Sequence, residues 1–316
     1  MKHLTMLFTT SFAFCLLILT PPATAGEKVT VLLDWFINPD HAPLFVALER
    51  GYFQNAGLVV EFIAPSNPND PPKFVAAGKA DIAVSYQHSH YLQVAQGLPL
   101  VRIATLVATP LNSLVVLRDG DIKSIADLKG KTVGYSVGGF ETVLLKVMLE
   151  KQGLHLSDVN LVNVNFSLSP SLFAGKTDAV IGAFRNFELN QMEIEKRPGR
   201  AFFVEEYGVP AYDELILVAH RDAIALEKYR KFVDALALGV QYLVNHPDES
   251  WQLFIRGRKD LDDELNRRAW ADTLTRFALR PGALDRRRYD RFARFMKDQG
   301  MLTKIPLLET VAVELR

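Results

Sequence analysis

Val29-Thr30-Val31-Leu32-Leu33-Asp34-Trp35-Phe36-Ile37-Asn38-Pro39-Asp40-His41-Ala42-Pro43 passes from strand to turn to helix in a single stretch. Val29 to Leu33 is a short run of β-branched and apolar residues, the pattern of a buried strand. Asn38-Pro39 is a turn pair. Pro43 suits the first turn of a helix, where its missing N–H is not needed. Leu44, Val46, Ala47, Leu48 and Phe53 give that helix an apolar face as far as Gln54. Strand ends in open α/β sheets are where ligands collect. Between the strand and the helix, Trp35 offers a flat face, Asn38 a donor and an acceptor, and His41 either. Taken alone, the segment also reads as a packed tryptophan beside an ordinary Asn-Pro turn.

The alternation continues outward. Leu58 to Ile63 reads as a second strand and Asp81 to Ser85 as a third, with short helices ending at Gly78 and Gly97. Two extended apolar runs follow, Leu100 to Val107 and Ser113 to Leu117, separated by Pro110. The pattern then restarts. Ser124 to Leu128 resembles a capped turn, Thr132 to Val137 a strand, and Thr142 to Gln152 a helix closed by Gly153. Val159 to Val164 and Ala179 to Ile181 are further strands, and Tyr212 to Ala219 is another extended run. Beyond Ile224 the chain is almost all helical, with Tyr229, Phe232, Val233, Leu236, Val240 and Leu243 at helical spacing. The expected architecture is α/β with largely parallel sheets in two lobes. Residues 26–111 with 213–316 form the first lobe, including the helical C-terminus, and residues 112–212 form the second. A two-segment hinge near 104–112 and 213–219 leaves a cleft between the lobes that can close on a ligand.

Composition narrows the function. The 316 residues carry 36 Lys plus Arg against 36 Asp plus Glu, a net charge of zero. Such a balance gives no bulk attraction to nucleic acid or to an anionic membrane, and a flat, uncharged guest is expected. Lys2, the apolar run Leu4 to Leu19, Pro21-Pro22 and Ala23-Thr24-Ala25 have the order of a secretory leader cleaved after Ala25. Cys15 is the single cysteine and lies inside the apolar run, so the mature chain is expected to hold neither a disulfide nor a thiolate metal site.

Three more segments follow strands. Ser85-Tyr86-Gln87-His88-Ser89-His90 offers Tyr86 as a second aromatic wall and Gln87 as an amide contact. His88 and His90, at i and i+2, do not share a helix face, and no metal is expected. Ser136-Val137-Gly138-Gly139-Phe140-Glu141 puts Gly138 and Gly139 where a ligand can approach backbone N–H groups, or simply where the chain turns. Ala183 to Glu188 places Glu188 either as an acceptor for an amino group or as a first-turn glutamate favoured by the helix dipole. Tyr212, at the second crossing, can close the cleft from the hinge side. The basic stretch Arg286 to Met296 could read as a nucleic-acid contact, but in a chain of zero net charge it reads better as a solvated helix face with Tyr289, Phe292 and Phe295-Met296 turned inward. No nucleophile elbow, zinc-protease motif or catalytic triad stands out.

Leu33-Asp34-Trp35, Asn38-Pro39-Asp40-His41, Gly51-Tyr52-Phe53, Gly57-Leu58, Gly78-Lys79-Ala80-Asp81, Gly97-Leu98-Pro99 and Leu128-Lys129-Gly130-Lys131 together resemble the superfamily of thiamin-pyrimidine binding proteins and pyrimidine synthases, over residues 28 to about 250. The resemblance implies a type II periplasmic binding protein fold. It implies a periplasmic, monomeric solute-binding subunit that uses no cofactor and delivers a small heterocycle, such as a formylaminopyrimidine, to an ABC permease of the inner membrane. On that resemblance Trp35, Asn38, Tyr86, Asn186, Glu188 and Tyr212 form the ligand shell. The fungal branch instead makes the pyrimidine phosphate from pyridoxal phosphate and its own histidine. The positions aligned with its lysine and histidine are Ser85 and Ser89, no lysine lies between Asp81 and Gly97, and the cysteine-rich iron motif is absent. A third class, a signalling ectodomain, would use the same cleft to report its ligand. Pyrimidines, flavins, sulfonates and other small organics remain open as ligands.

Overall fold

The computed structural model describes residues 26–315. The expected leader, with Cys15 and its cleavage point, lies outside the described residues. Ten strands are present among them: β1 (Glu27–Leu32), β2 (Leu58–Ile63), β3 (Ile82–Ser85), β4 (Leu100–Val107), β5 (Asn112–Leu117), β6 (Thr132–Tyr135), β7 (Asn160–Asn163), β8 (Ala179–Phe184), β9 (Gly199–Phe203) and β10 (Leu215–His220). They form two sheets of five, ordered β2-β1-β3-β10-β4 and β7-β6-β8-β5-β9. This is the two-lobed type II periplasmic binding protein fold.

Both sheets repeat one plan. Three parallel strands joined through helices are followed by a strand that arrives from the other lobe and runs antiparallel: β10 against β3 in the first sheet, β5 against β8 in the second. Half of the strand pairings are therefore antiparallel, where a largely parallel sheet was expected. The cause is the crossing itself, because a strand entering from the neighbouring lobe starts at the cleft and runs away from it. β9 was not foreseen. Its Gly199-Arg200-Ala201 start lacks a β-forming run, and pairing with β5 makes it a strand.

The helix expected over 43–54 is two helices, Ala42–Glu49 and Tyr52–Asn55, broken where Gly51 takes φ 71°. The helix Glu227–Asn245 packs across the first of them, burying Tyr229, Phe232, Leu236, Val240 and Leu243 in the core of the first sheet. The helix Arg286–Asp298 behaves differently from the rest of the C-terminal region. Its buried stripe of Tyr289, Phe292, Ala293 and Met296 joins the cluster that holds Leu114, Val133, Leu144 and Ile181 of the second-sheet region.

Two connections cross between the sheets, after β4 and before β10. Glu214 sits in one and reaches the other. Its Oε2 accepts N–H bonds from Leu111 at 2.6 Å and Asn112 at 2.8 Å, and the Tyr212 hydroxyl at 3.0 Å. Beside it, Asp213 accepts from Arg288 at 2.6 Å and from the Thr105 hydroxyl at 2.8 Å.

Gly239 marks the closest approach of the helix Glu227–Asn245 to the helix Ala42–Glu49. A Cβ there would lie 2.7 Å from Ala47 Cβ and 2.8 Å from the Pro43 carbonyl oxygen. In Gly239→Ala, overpacking of about 1–3 kcal/mol outweighs a gain in helix propensity of about 1 kcal/mol. Urea unfolding is expected to show a lower midpoint; an unchanged one would mean the two helices part freely.

Candidate functional site

A cavity opens between the lobes at the carboxyl ends of β1, β3, β6 and β8 and the starts of β5 and β10. Asp34, Trp35, Asn38 and Asp40 come from the loop after β1, and Tyr86 and His88 from the turn after β3. Ser136, Val137, Phe140 and Glu141 follow β6, and Phe184, Phe187 and Glu188 end or follow β8. The parallel strands set this placement, since their ends face the same crevice. The water-accessible volume is about 40 Å³. That holds water, but a dry cavity that takes benzene measures roughly 150 Å³. Ring-sized guests need the lobes or their side chains to part.

Aromatic groups wall the cavity. Tyr86, His88 and Phe140 lie nearly parallel, with 8° between the first two ring planes and 1° between the second two. Trp35 leaves the first sheet and meets Phe166, which follows β7, edge to face at 4.5 Å between ring centroids. Phe36 and Phe187 stand 6.0 Å apart beside them. This cluster draws two rings from each lobe.

The polar lining is acidic. Asp34, Asp40, Glu141 and Glu188 all face the cavity, and among the described residues no lysine or arginine lines it. Asp34 is held by the Tyr86 hydroxyl at 2.7 Å and by His41 Nε2 at 2.8 Å. His41 Nδ1 accepts the Asn38 N–H at 3.4 Å, so the ring proton sits on Nε2 and points at Asp34. Glu141 and Glu188 each open a helix and each take a backbone N–H, from Ser136 and from Phe184, both at 2.7 Å. Burial nevertheless pushes both carboxyls up to about 8, against the lowering effect of those N–H bonds. Asp40 is raised to about 6 by burial, opposed by His41, Thr273 and Asn186. Burial holds His88 well below its ordinary value, as a neutral ring. Gly182 is required here: at φ 100° it lies against Glu141, and a Cβ would fall on that carboxylate.

The ten residues singled out from sequence separate into two groups. Trp35, Asn38, Tyr86 and Glu188 line the cavity. The other six do not. His41 lies beneath Asp34. Asn186 is buried and donates to Asp40 at 2.6 Å and to Thr273 at 2.7 Å. Gln87 is buried and accepts the Asp213 N–H at 2.7 Å. Tyr212 is fully buried against Glu214. Gly138 and Gly139 face a neighbouring crevice, where the Gly138 N–H is already taken by Asn69 Oδ1 at 2.9 Å. Asp34, Asp40, Glu141, His88, Phe140 and Phe184 were missed as lining residues. All lie within the post-strand segments already picked out, so their position at strand ends was the available signal. His88 and His90 diverge, with His90 Nε2 against the Val311 carbonyl at 2.6 Å. Among the described residues no helix is long and apolar enough to cross a membrane.

Residues 38–250 match the sequence profile of the family described as NMT1/THI5 like. A Haemophilus influenzae protein named for thiamine biosynthesis is 53% identical over 306 residues, covering 96% of this chain and 98% of that one. The formylaminopyrimidine-binding protein of Halalkalibacterium halodurans is 37% identical over 244 residues, 77% of this chain and 73% of its own. In fold, the alkanesulfonate-binding protein of Xanthomonas axonopodis superposes with a TM-score of 0.72 at 16% identity, covering 92% of this chain and 99% of that one.

Buried acids of raised pKa keep their protons when folded and lose them when unfolded. Between about pH 4.5 and 8 the folded protein therefore binds more protons at Glu141 and Glu188, and the stability of the ligand-free protein falls as pH rises through that window. Glu141→Gln and Glu188→Gln remove one titration each. Their melting temperatures are expected to drop less between pH 5 and pH 8.5 than that of the parent; an equal drop in all three proteins would place the pH sensitivity elsewhere.

Proposed function

Because the chain belongs to the NMT1/THI5 like family, we propose that it is the periplasmic solute-binding subunit of an ABC importer, closing its two lobes on an amino-substituted pyrimidine or a similar small heterocycle. The observation that carries this reading is a cavity with four carboxyl groups, aromatic walls and, among the described residues, no lysine or arginine. An exocyclic amino group offers N–H donors to an ionised carboxylate, and the ring nitrogens accept from a protonated carboxyl such as Glu141 or Glu188. Trp35 and Tyr86 offer faces to the ring, an interaction of about 0.5–1.5 kcal/mol beyond area burial. A sulfonate or phosphate would find no lysine or arginine among the described lining residues to meet its charge. The likeness to the alkanesulfonate binder therefore stands for the fold, not the guest. The expectation of an uncharged guest is sharpened to one rich in hydrogen-bond donors, neutral or cationic.

The synthase reading is disfavoured by the same lining. Pyridoxal phosphate needs an amine to hold it and positive or N–H-rich surroundings for its phosphate. Among the described residues no lysine lines the cavity to hold the aldehyde, and no arginine or lysine is there to meet the phosphate. On the resemblance drawn from sequence, Ser85 and Ser89 stand where the fungal enzymes carry that lysine and histidine. Delivery to an inner-membrane permease follows from closure, which creates a surface that the open protein lacks.

Calorimetry tests the site. Trp35→Ala is expected to weaken binding at least tenfold while leaving the protein folded, and unchanged affinity would remove Trp35 from the ligand shell. Binding at pH 7 is expected to release protons, because donor groups of the guest favour ionised Glu141 and Glu188; titration in two buffers of different ionisation enthalpy reads their number, and net uptake would contradict the acidic-cavity account. A thermal-shift screen of formylaminopyrimidine, hydroxymethylpyrimidine, thiamin, riboflavin and taurine should raise the melting temperature with the amino-pyrimidines and leave it unmoved with taurine. A taurine response alone would replace this reading with sulfonate binding.

A further inference from the structure

We propose that Thr273 is a positioning residue for lobe closure: with Asp272 it forms a catch at the end of a first-lobe helix, Asn186 and Asn190 of the second lobe engage it, and the catch sets how long a guest is held. The residence time rests on the ring-binding reading above; the catch itself does not. Thr273 ends the helix Glu264–Thr273, whose Trp270 packs into the core of the first sheet. Asn186 follows β8 of the second sheet, and Asn190 lies in the next helix, Glu188–Ile194. The loop after β1 brings Asp40 to the same point. Thr273 stands beyond residues 38–250, the part of the chain that matches the family profile.

The core of the catch is buried, with Asp40, Asn186 and Thr273 each at most 2% exposed. Asn186 Nδ2 donates to Thr273 Oγ1 at 2.7 Å and to Asp40 Oδ1 at 2.6 Å. Thr273 Oγ1 stands 3.0 Å from Asp40 Oδ1 and 2.7 Å from the Ala269 carbonyl oxygen. A hydroxyl has one proton and two lone pairs. Thr273 therefore accepts from Asn186 while its own proton goes either to Asp40 or to Ala269, its partner within the helix. With the lobes apart, Asn186 loses both acceptors and Thr273 falls back on Ala269. Nearer the surface, Asn190 Nδ2 donates to Asp272 Oδ2 at 2.8 Å and to the Asn186 carbonyl at 2.9 Å, which braces the second-lobe side. Asn69 also spans the cleft, but its bond to the Gly138 N–H is exposed, and water replaces such a bond at little cost. The buried junction includes a carboxyl and has no such substitute, so it weighs more in the balance between open and closed forms. Asn186, Asn190, Asp272 and Thr273 do not line the cavity. A guest that makes room by moving the wall rings leaves the catch in place.

Trp35 lines the cavity and reports binding, so stopped-flow tryptophan fluorescence with hydroxymethylpyrimidine as the probe reads association and release separately. Thr273→Val keeps the shape and removes the hydroxyl; it is expected to speed release about tenfold and to leave association within about twofold. Thr273→Ser keeps the hydroxyl and is expected to release within about twofold of the parent rate. Asn190→Ala, at the edge of the junction, should speed release about threefold. Parent-like release in Thr273→Val overturns the catch and leaves the ring-binding reading standing; should that variant not fold, parent-like release in Asn190→Ala does the same. A loss confined to association, or an equal loss in Thr273→Ser, marks Thr273 as structural and also overturns it. A parent that does not bind hydroxymethylpyrimidine sinks the ring-binding reading alone. The catch is then decided on the ligand-free protein, whose described residues hold no cysteine. Nitroxide labels at Gln54→Cys in the first lobe and Lys176→Cys in the second give the distance between lobes by electron spin resonance. Thr273→Val is expected to show a larger open population than the parent, and identical distributions reject the catch.

Discussion

Four carboxyl groups gathered in one cavity with no lysine or arginine among the described residues are the condition to which the rest of the site conforms. Desolvated like charges repel, and the protein answers with dipoles in place of ion pairs. Glu141 and Glu188 each sit in the first turn of a helix, where N–H groups point outward and the dipole favours negative charge. The two positions are equivalent, one after β6 and one after β8. Gly182 has no side chain, which leaves room for Glu141 beside the sheet. Asn186 and Thr273 do for Asp40 what the helix ends do for the glutamates. Even so, burial keeps protons on Glu141 and Glu188 near neutrality.

Strand positions were legible in sequence because β-branched runs such as Val29 to Leu33 and Leu100 to Val107 have no helical alternative. Strand direction was not legible. It depends on which lobe a strand comes from, and that is fixed by crossings whose length and composition carry no directional mark. β9 and the break at Gly51 belong to the same class, since both are settled by packing rather than by local preference. The last long helix shows the point from the other side. Its apolar stripe was evident from Tyr289, Phe292 and Met296, but nothing local said which cluster would receive it.

The site was half legible for a related reason. Aromatic and amide residues after strands attract notice, and Trp35, Asn38, Tyr86 and Glu188 do line the cavity. Buried acids do not attract notice. Asp34 and Asp40 look like turn residues, and Glu141 looks like an ordinary first-turn glutamate, because the dipole that makes such a residue common also makes its burial tolerable here. Conversely, His41, Gln87, Asn186 and Tyr212 are polar or aromatic beside the strand ends, yet each is spent one layer back, fixing an acid or a crossing.

The carboxylate of Glu214 has a mechanical meaning. It belongs to one connection between the lobes and grips two successive amides of the other, so the pair cannot bend separately. Two flexible straps would let the halves twist, slide and splay. Fastened to each other by those bonds, they are held together like a single axle. On the proposed importer function, a membrane partner need not recognise the guest at all; it need only sense the angle of that axle, which turns a chemical event inside the protein into a shape that can be read from outside.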